Sequence, residues 1–325
     1  MPRRPPGAAQ SRTVPAAGAG CALAGASRGR AAARRRSPTG GRQPVTGRVD
    51  AHHHLWDPQR RDYPWMTGPA APLRRHYGLE DLRAVTPDAG IDRTVIVQAA
   101  HDASETEDLL DIAASSGGLV AGVVGWVDLT ANDLTDQLDR LRARPGGDRL
   151  VGVRHQVHDE ADPEWLLRPE VGRGLRVLAR QGLVYDLLVR VRELPAACRV
   201  AREIDDLSFV LDHGAKPPIA DGGTEPWAGL VSDLAALPNV SCKVSGLVTE
   251  AQWDRWTVDD LRPYTDRLLE WFGPPRLLAG SDWPVCTLAA SYAEVFAAAR
   301  ACLSDLSDAE SAAVFGGTAS RVYSL

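Results

Sequence analysis

The chain has 325 residues, of which 44% are hydrophobic and 24% charged, a composition typical of a globular protein. This length suits one large barrel or two modest domains, and it does not choose between them. The net charge is −5, but residues 1–48 carry +10 and the remainder therefore carries −15. An acidic body argues against nucleic acid as the main partner.

The first 48 residues are rich in Arg, Ala, Gly and Pro, and they contain no acidic residue and no periodic apolar face. They are predicted to be a disordered extension. Three interpretations stay open: a targeting peptide, a disordered tail, or translated sequence upstream of the true start. No apolar run reaches the roughly 18–20 residues of a membrane span, so no membrane partner is expected. Five cysteines without a CxxC pair favour reduced thiols in a cytoplasmic protein.

From residue 49 onward, short β-branched runs alternate with amphipathic helical stretches. The candidate strands are Arg48–His52, Thr94–Ala99, Val120–Val127, Leu150–Arg154, Leu183–Val189, Ser208–Asp212, Val240–Val244 and Leu277–Gly280. Most are bare apolar runs, which is typical of parallel strands buried on both faces. Eight such strands predict an α/β fold, a (β/α)8 TIM barrel over residues 49–325. A doubly wound open sheet is the alternative, but histidines occupy the place of its glycine-rich phosphate turn.

Histidines end the first predicted strand, in the segment VDAHHH at 49–54. Alternate residues of a strand point to one side. His52 and His54 are therefore expected to present two imidazoles to one point in the barrel mouth, while His53 faces away. Metal binding or catalysis is the functional interpretation, and a polar strand end is the alternative.

Two further candidates follow the sixth and eighth predicted strands. His213 lies in FVLDHG at 209–214, and Asp282 lies in LAGSDWP at 278–284. The active site of this fold lies at the carboxyl ends of the strands. A carboxylate beside imidazoles serves as a metal ligand, a general base, or both. A hydrogen-bonded histidine and a turn-initiating Ser-Asp pair are the alternatives.

The fourth predicted strand ends at Arg154 and His155. Arg154 is predicted to bind a substrate carboxylate or carbonyl through its planar fork, and His155 to polarise a carbonyl oxygen. A salt-bridged arginine on the rim is an equally weighted alternative. Lys216 and Lys243 are the only lysines in the chain. This scarcity hints that Lys216, three positions after His213, has a role that arginine cannot fill, and Lys216 is assigned to substrate binding.

Aromatic residues fall at or near predicted strand ends and are predicted to line a pocket for a small ring. Core and rim packing is the alternative for at least half of them. The aromatic residues assigned to substrate binding are Tyr63, Trp65, Trp126 and Trp283.

Seven sequence blocks, in this order, resemble the sugar-lactone lactonase branch of the amidohydrolase superfamily. They are DAHHHLWDP at 50–58, DYPWM at 62–66, GVRHQVHDE at 152–160, WLLRP at 165–169, LDHGAKPPI at 211–219, NVSCKVSGL at 239–247 and GSDWPVC at 280–286. The resemblance covers essentially all of residues 49–325. It implies a distorted, amidohydrolase-like TIM barrel that hydrolyses a lactone.

The resemblance also implies roles for individual residues. His52 and His54 match the HxH motif of strand one, His213 the histidine of strand six, and Asp282 the aspartate of strand eight. Members with two metals place a bridging carboxylated Lys or Glu on strand four. This chain has Arg154 and His155 there, which implies one metal or none.

The predicted activity is the opening of a small lactone, a sugar-acid 1,4- or 1,5-lactone, by water that Asp282 activates. His213, His155 and Arg154 are the expected oxyanion donors. His52, His54 and Asp282 are the expected ligands of one divalent metal, zinc by preference, and catalysis without a metal stays open. A metal-dependent decarboxylase of an aromatic or unsaturated acid is the alternative, followed by a non-catalytic binding protein. The expected partner is the small-molecule lactone, and a homo-oligomer stays open.

Overall fold

The computed structural model describes residues 47–325, in which eight parallel strands pair in chain order. The strands are β1 (Val49–His53), β2 (Arg93–Val97), β3 (Val120–Gly125), β4 (Leu150–Gln156), β5 (Val184–Leu188), β6 (Phe209–Leu211), β7 (Val240–Val244) and β8 (Leu277–Ala279). All eight predicted strands are present, with ends shifted by a few residues. The prediction of disorder for residues 1–48 lies outside the described residues except at 47 and 48.

Helices follow the strands, as the alternating pattern predicts. They are α1 (Leu79–Ala89), α2 (Ala103–Ser115), α3 (Leu134–Arg142), α4 (Pro169–Arg180), α5 (Leu194–Glu203), α6 (Trp227–Ala235), α7 (Leu247–Glu250), α8 (Val258–Phe272), α9 (Tyr292–Cys302), α10 (Asp308–Ala312) and α11 (Thr318–Val322). No helix within residues 47–325 combines the length and the apolar character needed to cross a membrane.

The barrel is nearly closed, and its seam lies between β8 and β1. Beyond the end of β8, the Asp282 amide donates to the His52 carbonyl at 2.8 Å, and the His54 amide donates to the Trp283 carbonyl at 2.6 Å. The segment after β8 therefore closes the seam. Because this segment carries Asp282, the closure brings its carboxylate against the two histidines of β1.

The opposite end of the barrel is filled from the carboxyl terminus of the chain. Tyr323, which follows α11, packs with Ala319 against a cluster of inward-facing apolar side chains. That cluster contains Val49, Ala51, Val95, Val97, Val124, Val184, Val210 and Leu278. The Tyr323 hydroxyl reaches into the barrel and contacts Asp186 of β5 at 2.8 Å. The floor of the barrel is thus packed, and the site lies at the other end.

Candidate active site

Two segments at the carboxyl ends of β6 and β8 hold non-glycine residues in left-handed backbone conformations. The φ angles are 54° at His213, 61° at Ala215, 52° at Lys216 and 57° at Asp282. Such angles are uncommon for residues with a Cβ, and strained conformations cluster at functional sites. Both segments carry residues that were predicted to be functional.

The four predicted residues from β1, β6 and β8 meet in one buried cluster. Asp282 Oδ1 lies 3.4 Å from His54 Nε2, 3.7 Å from His52 Nε2 and 3.9 Å from His213 Nε2. His53 faces away, as the alternation predicts, and its Nε2 lies 2.8 Å from Thr94 Oγ1. The Asp282 carboxylate is therefore surrounded by three imidazoles.

The donor atoms of this cluster suit a divalent metal. His54 Nδ1 lies 2.7 Å from the Val97 carbonyl. Because a carbonyl only accepts, Nδ1 carries the proton and His54 Nε2 keeps a lone pair. One set of ligand atoms that fall within 4.8 Å of one another comes from His52, His54 and Asp282, and a second set from His52, Asp212 and His213. Nitrogen and oxygen donors of this kind fit zinc.

Electrostatics sets the charge of the central residues. Burial alone would raise the pKa of Asp282, but the positive charge that His213 carries in the acidic range where Asp282 titrates outweighs it and holds that pKa well below its ordinary value. Burial lowers the pKa of His213 to about 4. At neutral pH the cluster therefore presents an ionised carboxylate beside a neutral His213 imidazole.

Arg154 lies beside this cluster and is held in one orientation. Its Nη1 donates to Asp212 Oδ2 at 3.0 Å, and its Nη2 donates to both oxygens of Gln98, the carbonyl and Oε1. A guanidinium fixed in this way is preorganised to stabilise developing negative charge.

A cleft with a cavity volume of about 150 Å³ opens above the cluster. His54, His213 and Asp282 contribute to its lining. Three of the predicted substrate-binding residues also line it: Arg154, Lys216 and Trp65. Lys216 Nζ is ion-paired with Glu250 Oε1 at 2.7 Å.

His155, predicted to act in catalysis, lies outside this cleft. Its ring stacks between His101 and Trp165, with centroid separations of 4.1 Å on both sides. Its Nδ1 accepts from Trp126 Nε1 at 3.1 Å, and its Nε2 lies 2.8 Å from Glu160 Oε1. Neighbouring residues of a strand point to opposite sides, so β4 directs Arg154 to the cluster and His155 away from it. The site is therefore assembled without His155.

Three predicted substrate-binding aromatics also lie outside the cleft. Tyr63 is 1% exposed and donates to Glu105 Oε1 at 3.1 Å. The Trp126 indole nitrogen donates a hydrogen bond to His155. The Trp283 ring packs edge-to-face on Tyr77, with the ring centroids 5.4 Å apart. Core and rim packing, the alternative for these side chains, describes all three.

Sequence reasoning missed Asp50 as a positioning residue. Its carboxylate accepts from the backbone amides of His52 and Ser281 at 3.0 and 2.9 Å, and from the hydroxyls of Ser281 and Tyr292 at 2.6 and 3.0 Å. Asp50 thus ties β1 to the segment that carries Asp282. The signal available in the sequence was an aspartate two positions before the HxH motif.

Buried charges beneath the histidines were also missed. Asp186, Asp212 and Lys243 are each 0% exposed. Lys243 had been singled out as one of two lysines, and Asp212 directly precedes His213. Nothing in the local patterns indicated that these residues contact one another.

The stack around His155 leads to a pH prediction. His101 accepts from the Gln156 amide at 3.1 Å, and partial burial together with the nearby His155 lowers the pKa of His101 to about 4. The ordinary pKa of histidine is 6.5. The contribution of His101 to the free energy of unfolding is therefore complete above pH 6.5 and is lost as the pH falls towards 4.

We expect the free energy of unfolding of the wild type to fall relative to that of a His101→Gln variant between pH 6.5 and 4. The expected size is on the order of 1 kcal/mol, since partial exposure screens the effect. Thermal unfolding of both proteins across this pH range measures it. A difference that stays constant with pH would contradict the assignment.

Residues 49–325 match the amidohydrolase family. An L-fucono-1,5-lactonase from Burkholderia ambifaria is 39% identical over 285 residues, which cover 86% of this chain and 96% of that protein. A crystal structure of an amidohydrolase from Burkholderia multivorans with bound zinc has a TM-score of 0.81 and 39% identity. The alignment covers 86% of this chain and 99% of that chain.

The chain therefore belongs to the amidohydrolase family, and the predictions of the family and of the (β/α)8 barrel are confirmed. A 5-carboxyvanillate decarboxylase from Sphingomonas paucimobilis has a TM-score of 0.59 at 14% identity, with 86% of this chain and 99% of that chain covered. That likeness shows the common fold alone. Cytoplasmic location and a homo-oligomeric state stay predictions.

Proposed function

We propose that the chain is a hydrolase that opens a sugar-acid lactone, with Asp282 as the general base. The observation that carries this is the Asp282 carboxylate, ionised and in contact with His52, His54 and His213 at the floor of a small cleft. The likeness to L-fucono-1,5-lactonases supports the activity and favours a 1,5-lactone as the substrate.

The residues that line the cleft suit a small polar ring such as a sugar-acid lactone. Arg154 and Lys216 offer hydrogen-bond donors to hydroxyl and carbonyl oxygens, and Trp65 offers an aromatic face to the apolar side of a ring. We propose that these three residues bind the substrate. The Trp65 indole nitrogen is already bonded to the Ala99 carbonyl at 2.9 Å, which holds the ring in place.

The proposed reaction begins with a water molecule between Asp282 and the lactone carbonyl carbon. Asp282 accepts a proton as the water oxygen attacks, and Arg154 with His213 stabilises the negative charge on the carbonyl oxygen. The bond between the carbonyl carbon and the ring oxygen then breaks. Asp282 returns the proton to that oxygen, so lactone and water become one open hydroxy acid.

His52, His54 and Asp282 are the proposed ligands of a divalent metal, for which zinc is the preferred candidate. Such an ion would activate the attacking water as a Lewis acid.

The test is hydrolysis of a panel of sugar-acid 1,5- and 1,4-lactones, followed by proton release, before and after chelator treatment. We expect turnover of 1,5-lactones by the wild type and about a thousandfold less by an Asp282→Asn control. Activity that disappears with the chelator and returns with zinc would establish a metal requirement, and activity that survives without zinc would make the site purely acid–base. No lactone turnover, together with carbon dioxide release from aromatic acids, would replace this proposal with the decarboxylase.

A further inference from the structure

Lys243 on β7 is completely buried directly beneath His52. Its Nζ lies 2.5 Å from Asp186 Oδ2, 2.9 Å from Asp212 Oδ1 and 3.1 Å from His52 Nδ1. The two carboxylates compensate its charge, and an ammonium group has three protons for these three contacts. Lys243 is therefore held in place by anions on two sides while it faces a ring nitrogen of His52.

The hydrogen bonds of His52 and His54 above Lys243 indicate which ring nitrogens carry the protons. His54 donates from Nδ1 to the Val97 carbonyl, so His54 Nε2 is an acceptor. His52 Nε2 lies 3.2 Å from that acceptor and can donate to it. A neutral imidazole with its proton on Nε2 has a bare Nδ1, which is the atom that Lys243 faces. These three hydrogen bonds, from His54 to Val97, from His52 to His54 and from Lys243 to His52, all fit a His52 ring protonated on Nε2.

The other tautomer of His52 has different partners. With the proton on Nδ1, His52 would donate to Asp212 Oδ1, which lies 3.3 Å away. Its Nε2 would then offer a lone pair to a metal, or to Arg154 Nη1 at 3.3 Å. Lys243 could not donate to His52 in that state. Lys243 and Asp212 therefore compete for the same ring nitrogen.

Asp186 anchors Lys243 from below, and the carboxyl terminus of the chain anchors Asp186. The Tyr323 hydroxyl lies 2.8 and 2.9 Å from the two oxygens of the Asp186 carboxylate. The two contacts with Tyr323 hold the Asp186 carboxylate so that its Oδ2 stays in contact with Lys243 Nζ. The orientation of the lysine is thus fixed from the packed floor of the barrel.

We propose that Lys243 is a positioning residue that holds His52 in the tautomer protonated on Nε2 and thereby weakens divalent-metal binding by His52, His54 and Asp282. A metal would need the Nε2 lone pair, so Lys243 would have to release its bond to His52, and its ammonium charge also repels a cation. The inference rests on the proposed function for its ligand set.

The first test uses the wild-type chain alone. The full protein, labelled with 15N-histidine and freed of metal by a chelator, is examined by long-range 15N–1H correlation spectroscopy. The His52 signals are identified by their loss in a His52→Asn variant. We expect the pattern of a neutral ring protonated on Nε2. A ring protonated on Nδ1 would overturn the proposal.

The second test measures zinc affinity by competition with a chromophoric chelator. Lys243→Met, and the double variant Lys243→Met/Asp186→Asn that also removes one buried carboxylate, are expected to bind zinc at least about tenfold more tightly than the wild type. Both should show His52 protonated on Nδ1. Unchanged zinc affinity in the folded variants would refute the role of Lys243.

Lys216→Met is the matched control, because it removes the other lysine of the chain, which lines the cleft without contacting His52. We expect its His52 tautomer to equal that of the wild type. A shift as large as that in Lys243→Met would mean that charge in the cleft, and not the bond to His52, sets the tautomer. None of these measurements requires turnover, so their failure would leave the lactonase proposal standing.

Discussion

Replacement of Asp282 with Asn is expected to lower kcat by about a thousandfold while the protein still folds. The amide has nearly the shape of the carboxylate but cannot accept the proton of the attacking water. Asp282 has a φ of 57°, and asparagine tolerates this left-handed conformation better than most residues. The backbone bond from residue 282 to the His52 carbonyl also remains available to close the barrel seam.

Initial rates on the best lactone of the panel, together with thermal unfolding followed by circular dichroism, test this expectation. Asp233→Asn is the matched control, since Asp233 is exposed on α6 and lies outside the cleft. The control should keep both its rate and its melting temperature. An Asp282→Asn enzyme that retained a tenth or more of the wild-type kcat would remove Asp282 as the base.

Replacement of Gly246 with Ala is expected to lower kcat by about a hundredfold, because a small displacement of catalytic groups has a cost of this order. A Cβ at this position would lie 2.7 Å from His213 Nδ1 and 3.0 Å from Asp282 Oδ2. The first distance is shorter than a carbon atom allows and the second is tighter than most carbon contacts, so the His213 ring must move. Gly246 also has a φ of 62°, which any other residue adopts only with strain.

Gly222→Ala separates the clash from the backbone strain. Gly222 has a φ of 68°, and nothing lies within 4 Å of the Cβ position. Alanine at either site should reduce the free energy of unfolding by about 1–2 kcal/mol through its left-handed backbone. Only the change at Gly246 should reduce kcat. Equal losses of activity in the two variants would show that backbone strain, and not contact with the site, is responsible.

Patterns local to each strand were enough to predict the barrel and the centre of the site. Alternation along β1 predicted that His52 and His54 share a side, and the structure brings both to Asp282. The same rule, applied to β4, separates Arg154 from His155. The prediction that His155 polarises a carbonyl oxygen rested on the chemistry of imidazole and did not consider which side of the strand His155 faces.

Three aromatic residues show where residue type alone was insufficient. Trp65 lines the cleft, but Trp126 and Trp283 pack elsewhere although they also lie near strand ends. Whether a tryptophan lines a pocket or fills a gap depends on the loops around it. Those loops are arranged by contacts that periodicity does not encode.

By itself, the sequence determined the eight-strand alternation, the family, and the grouping of His52, His54, His213 and Asp282 at the carboxyl ends of the strands. Only the tertiary structure decided which buried charged residues lie beneath these four and contact one another. Lys243 and His52 are 191 positions apart, and Tyr323 and Asp186 are 137 apart. Barrel closure brings His52 and Lys243 together because it wraps β1 and β7 around one axis, and the packing of the carboxyl terminus into the floor of the barrel brings Tyr323 to Asp186. Both exclude water from the charges between these residues.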